Sequence, residues 1–212
     1  MIRLAFVSLC LCGAIAVGAA AAAAPPSQLL HPEKLHAKAP ATYRVSFVTT
    51  KGTFVVTVHR AWSPRGADRF YNLVQAHFFD GVTFFRVVKH FVVQFGISGM
   101  PAVSKAWQNA NIPDDPVKAS NTLGTITYAD AGPDTRTTQV FVNLGNNAAN
   151  LDGQGFSPFG KVTTGMAVVN KLYGGYGEQP TGDQAQISAQ GDAFLHKTFP
   201  KLDHIRTARI VH

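Results

Sequence analysis

The residue best suited to chemistry is Arg86, which stands among bulky hydrophobes in the stretch 82–96, V-T-F-F-R-V-V-K-H-F-V-V-Q-F-G. Two short apolar runs of the kind strands use meet at Lys89-His90, and Gln94 follows eight residues after the arginine. Strand side chains alternate between faces. Phe84, Arg86 and Val88 are therefore expected on one face and Phe85 and Val87 on the other, and Val92, Gln94 and Gly96 share one side of the second run. A guanidinium and a primary amide on a phenylalanine-rich sheet suit a neutral, partly apolar ligand with one oxygen or nitrogen that needs a permanently charged donor. The same residues also fit an arginine snorkelling from an edge strand beside a glutamine at a barrel rim.

A second stretch bears on that choice. Residues 128–141 read Y-A-D-A-G-P-D-T-R-T-T-Q-V-F, followed by L-D-G at 151–153 and P-F-G-K-V at 158–162. With F-F-R-V-V-x-x-F-V-V-Q-F-G ahead of them, these motifs in this order resemble the cyclophilin family of peptidyl-prolyl cis/trans isomerases, over about 42–212. The resemblance implies a mainly β fold, a closed eight-stranded antiparallel barrel capped by two α-helices. It implies catalysis by Arg86 and Gln94 and a proline slot formed by Phe91, Val92, Phe141 and Leu151. Gln94 and Gln139 would hydrogen-bond the substrate backbone, and Ala129, Asp130 and Ala131 would offer backbone groups to the residues before proline. No cofactor and no metal are implied, and the partners would be proline-containing polypeptides.

Such an enzyme must lower a barrier of roughly 18–20 kcal/mol that arises from the partial double bond of the imide. No nucleophile or acid–base pair is needed. A fixed cation weakens the resonance by donating to the prolyl nitrogen as it pyramidalises, or to the carbonyl oxygen as it turns, and Arg86 is the candidate. The alternative is a proline-peptide binding or chaperone module that uses the same groove with little or no turnover. The chain departs from the family pattern at Val92, where methionine is usual, at Asp130, where asparagine is common, and at Asn150, where many members carry an aromatic residue. The loop 154–157 is a residue longer and lacks the usual histidine.

The elements that must position these residues follow from the patterning. Alternation over 43–49 and 54–59 about a Lys51-Gly52 turn predicts a hairpin. Ser63-Pro64 marks a helix start, and Ala67, Phe70, Val74 and Phe78 recur at helical spacing to about Phe79. The stretch 98–122 lacks a period and is expected as a long loop in which Trp107 packs. Strands are expected at 124–129, 137–143, 156–162 and 207–211, with a second helix at about 166–173. Many short strands without βαβ alternation argue for a barrel, and nothing repeats at a fixed period.

The first 24 residues have the layout of a secretory signal: a positive start with Arg3, an apolar core at 4–17, and alanines at 19–24. Export, to a periplasm or the outside, is the inference. An uncleaved anchor is the alternative, since 4–24 is close to the ~20 apolar residues of a spanning helix. Both cysteines, Cys10 and Cys12, lie in this segment, so the mature chain would be a cysteine-free monomer resting on its hydrophobic core. Residues 25–41, rich in Pro and Ala, read as a flexible linker or arm. The eight histidines show no ligand spacing. The net charge of +7, lowered by one when Arg3 is removed, is spread singly, without the basic run or motif that nucleic-acid binding needs.

Overall fold

In a computed structural model, residues 25–211 are described. The expected signal segment, with both cysteines, lies outside them.

Strands β1 (Thr42–Thr49) and β2 (Gly52–His59) form the expected hairpin, with Thr49 opposite Gly52. Gly52 takes φ +126°, a conformation open to glycine, and the Thr49 hydroxyl donates to its carbonyl at 2.8 Å. Tyr43, Val45 and Phe47 point inward with Phe54, Val56 and Val58, as period-two alternation requires. The remaining strands are β3 (Arg86–Val88), β4 (Val92–Phe95), β5 (Thr125–Tyr128), β6 (Val140–Asn143), β7 (Pro158–Thr164) and β8 (Ile205–Val211). They make one antiparallel eight-stranded sheet in the order β3-β4-β6-β5-β7-β2-β1-β8.

The two ends of that order do not join by a full ladder, so the barrel is less closed than expected. The seam between them is a single Thr83–His204 bridge flanked by three backbone bonds, Gly81 N–H to Ile205 O (2.8 Å), Phe84 N–H to Asp203 O and Ile205 N–H to Val82 O (both 2.9 Å). Inside, Phe47 stacks on Phe54 and meets Phe70, Phe79 and Phe95 edge-on or tilted, which fills the interior without a disulfide.

Helix α1 (Pro64–Gln75) buries Ala67, Phe70, Leu73 and Val74. It stops at Gln75 rather than near Phe79, and the left-handed His77 (φ +60°) bars continuation. Its start is not capped by Ser63, whose hydroxyl instead donates to Asp115 at 2.7 Å. The Asp115 carboxylate accepts from the Gly66 (2.9 Å) and Arg65 (3.2 Å) amides at the helix's positive end.

Two helices were expected to cap the barrel; six are present among the described residues. Helix α2 (Pro101–Trp107) lies within the stretch expected as loop, and Trp107 is buried there. The others are α3 (Ala148–Leu151), α4 (Met166–Val169), shorter than expected, α5 (Gln184–Gln190) and α6 (Asp192–Thr198). Nor is the arm at 25–41 free. It forms two short 3-10 turns, buries Leu29 and Ala39, and is fixed by Trp107 Nε1–H to Leu29 O (2.8 Å) and by Asn72, which donates to Ala37 O (2.7 Å) and accepts from its amide (3.0 Å). Few apolar anchors suffice when a helix already presents their partners, and a linker-like composition does not reveal that. No helix among the described residues is long and apolar enough to cross a membrane.

Candidate active site

The β3–β4 hairpin turns at Lys89-His90, with His90 left-handed (φ +63°) and the Phe91 amide donating to Val88 O at 3.0 Å. That turn sets the register Arg86↔Gln94 and Val88↔Val92, and the ladder continues with Gln94↔Phe141 and Phe141↔Thr127. Cross-strand partners share a face, so arginine, glutamine and phenylalanine stand in one row across three strands. Val87, Val93 and Val142 point the other way, into the core. The Arg86 row thus faces outward, over a cleft. Phe84 is not on that face as expected. It packs inside against Phe95, because the ladder begins only at Arg86 and strict alternation does not extend back through Phe85.

Beside the row, Val92, Phe141 and Leu151 form a small apolar cluster of their own, lined by Phe91, Ala129 and Phe156. All four expected slot residues are brought together. Phe156 is an addition that the sequence reading passed over. It sits in the longer loop where the usual histidine is missing, its ring 5.9 Å from that of Phe141 and edge-on to it. Asn150 is exposed, so no aromatic wall stands at that position. The L-D-G motif acts through its neighbours. Asp152 accepts from the Asn121 amide (2.9 Å) and side chain (2.8 Å), which anchors the turn that presents Leu151. Burial would push the Asp152 carboxyl up, but those bonds outweigh it and hold it below the usual carboxylate range.

The polar side of the cleft is a directed chain of hydrogen bonds. Arg86 Nη1 donates to Gln94 Oε1 (2.9 Å), Gln94 Nε2 to Gln139 Oε1 (2.9 Å), and Gln139 Nε2 to Gln184 Oε1 (3.0 Å). Arginine can only donate, so the first amide must turn its oxygen toward it, and each later amide inherits that sense. The guanidinium carbon lies 5.4 Å from the centre of the Phe91 ring, within reach of a cation–π contact. Its other edge is taken by Glu178, with Nε to Oε2 at 2.7 Å and Nη2 to Oε1 at 2.8 Å. The bond from Arg86 outweighs partial burial and holds the Glu178 carboxyl below its usual range. Three of arginine's five N–H donors are so engaged, leaving one on each Nη.

Past the glutamines the cleft opens into a cavity of about 450 Å³, lined in part by Gln94, Ala129, Asp130, Ala131, Gln139 and Gln184. The Ala129 amide is spent on Gln139 O (3.0 Å) and that of Ala131 on the Thr135 hydroxyl (2.8 Å), which makes the 129–131 loop a fixed wall. Burial pushes the Asp130 carboxyl above its ordinary value, only partly offset by the Gly132 amide, which donates to it at 3.2 Å. Glu178 and Gln184 were missed for want of any local signal. Glu178 is 92 residues from Arg86, in a glycine- and proline-rich stretch without periodicity. Among the described residues no group of three or more His, Cys, Asp or Glu side chains could hold a metal.

Residues 44–190 match the family described as cyclophilin type peptidyl-prolyl cis-trans isomerase/CLD. A peptidyl-prolyl cis-trans isomerase of Acinetobacter baylyi is 30% identical over 142 residues, covering 65% of this chain and 76% of that protein. One of Arabidopsis thaliana is 32% identical over 131 residues, covering 60% of this chain and 79% of the other. The fold is similar to that of a Cryptosporidium parvum cyclophilin type isomerase, at TM-score 0.60 and 16% identity, over 81% of this chain and 98% of that one. With the family match spanning most of its length, the chain belongs to the cyclophilin-type peptidyl-prolyl cis-trans isomerases.

Proposed function

We propose that this isomerase turns X-Pro bonds with Arg86 as its catalytic cation, in polypeptides exported alongside it. The supporting observation is the row Arg86–Gln94–Phe141, which sets a guanidinium with two unspent N–H donors beside an apolar slot. The proline ring enters between Phe91, Phe141 and Phe156 over Val92 and Leu151, and the residues before it run along 129–131 toward the cavity. Gln94, aligned by the arginine, and Gln139 meet the peptide backbone.

The slot grips ground and transition states alike, so it supplies affinity and not turnover. As the imide twists, its nitrogen pyramidalises and gains a lone pair that one free Nη–H can meet. Two charge-assisted bonds that each strengthen by about 2 kcal/mol at that geometry give on the order of a thousandfold. The protein works as a monomer without a cofactor, and its dispersed basic charge serves weak surface attraction rather than nucleic-acid binding.

A peptide isomerisation or proline-limited refolding assay tests the chemistry. Arg86→Ala should lose most of the rate while still binding proline peptides, and equal rates in variant and wild type would overturn the assignment. Export rests on the composition of residues 1–24. N-terminal sequencing of the mature protein from cell fractions checks it: a start near residue 25 in the exported fraction is expected, and an intact Met1 in the cytosol refutes it.

A further inference from the structure

The cleft's polar chain is closed into a ring by two residues, Glu178 and Gln184, that lie outside the motif stretches 82–96, 128–141, 151–153 and 158–162. Glu178 grips one end of it, at Arg86, and Gln184 receives the other, from Gln139. Both belong to one short stretch, joined by the 3-10 turn Gln179–Asp183. The ring runs Glu178, Arg86, Gln94, Gln139, Gln184 and back through the backbone.

The foundation of that stretch is firm. Ile187 is fully buried with Phe85, Ile97, Leu195 and Phe199, and Tyr176 packs on Phe199 with ring centres 5.1 Å apart. Phe85 immediately precedes Arg86, so the backbone under the arginine and the stretch carrying its carboxylate share one apolar cluster. The Thr181 hydroxyl donates to Glu178 Oε2 at 3.2 Å, which steadies the carboxylate from its own side.

Arg86 needs such support. It opens a three-residue edge strand, and its long side chain would otherwise be held by a single hydrogen bond to Gln94 and its contact with the Phe91 ring. Resting on the reading of Arg86 as the catalytic cation, we propose that residues 176–184 form a clasp in which Glu178 is the positioning residue for Arg86. The clasp holds the Nε–Nη2 edge and aims the two remaining N–H groups at the slot, while Arg86 itself fixes the sense of the glutamine chain that ends on Gln184. A carboxylate is suited to this because its two oxygens match the guanidinium fork.

The test is a kinetic cycle with an X-Pro peptide substrate on wild type, Glu178→Ala, Glu178→Gln, Arg86→Ala and the Arg86→Ala/Glu178→Ala double variant. Releasing the clasp should lower kcat about tenfold and leave KM within about twofold, since only the transition-state contact loosens. Glu178→Gln, which keeps one acceptor but sets an amide N–H against the guanidinium, should fall between alanine and wild type. The double variant should be no slower than Arg86→Ala alone, because Glu178 acts only through the arginine.

Losses that multiply in the double variant, or a rise in KM without a fall in kcat, would overturn the clasp. So would a faster Glu178→Ala, which would make the carboxylate a competitor for the cation. Wild-type rates in Arg86→Ala would instead bring down the assignment of Arg86 itself, so the two failures are distinct.

Discussion

Two arginine–carboxylate centres in this molecule, alike in chemistry, do opposite things. Arg136 is 3% exposed and sits between Asp114 (Nε–Oδ1 3.0 Å) and Asp115 (Nη2–Oδ2 3.1 Å), with Nη2 also donating to the Pro113 carbonyl. Arg86 is 20% exposed against a Glu178 that is 56% exposed, and it keeps donors to spare. The first centre ties the 112–116 turn to the start of α1 through Nη1 to the Ser63 hydroxyl (3.4 Å) and Nη2 to Asp115 and Pro113, while its buried Nε faces Asp114 without a hydrogen bond. The second is partly solvated, and its two unengaged N–H donors stand beside an open cleft. Each arginine has three N–H donors engaged, so whether the ion pair serves folding or chemistry is decided here by burial and by what the other donors face, not by the pairing itself.

Breaking the buried centre should have the largest effect. Asp115→Ala leaves Arg136 buried without one of its carboxylates and α1 without its cap, and should cost about 3–5 kcal/mol in denaturant unfolding, with activity per folded molecule preserved. The bonds to Asp115 from Ser63 and the Gly66 and Arg65 amides outweigh its burial and hold its carboxyl below the usual range. Its contribution is therefore full above that range and lost as pH falls through the lowered value. Asp115→Asn should flatten the acid limb of a stability–pH profile.

Arg86→Ala should show the reverse, a rate loss of at least about a hundredfold, or about 2.7 kcal/mol, with the melting temperature unchanged. If it unfolded the protein instead, the contrast between the centres would vanish. Phe156→Ala should raise KM several-fold at nearly constant kcat, about 1 kcal/mol of uniform binding, since the ring helps hold proline without touching the charge. A third pair, Arg209–Asp80 (2.7 Å), marks the bottom of the scale. With the arginine 42% exposed, Arg209→Gln should change stability by no more than about 1 kcal/mol.

Much of the site was legible because a period-two pattern survives in Arg86, Gln94 and Val92, and because the turn between the strands is short. The first hairpin was legible for the same reason. Phe84 was misplaced because the ladder starts later than the apolar run. Helices α5 and α6 escaped because each presents one fully or nearly buried apolar residue, Ile187 and Leu195, too few to make a stripe. The clasp was hidden for a different reason. Its partners meet across the fold, and no local preference encodes a glutamate that answers an arginine 92 positions earlier.

The seam of the barrel carries a consequence for how the molecule comes into being. Strand β8 is both the neighbour of β1, with Arg44 opposite Val211, and the surface against which 81–84 fastens. A chain emerging from a ribosome therefore cannot make this seam, or the β1–β8 ladder, until residues 203–211 are free, and until then its β1 edge stays unpaired.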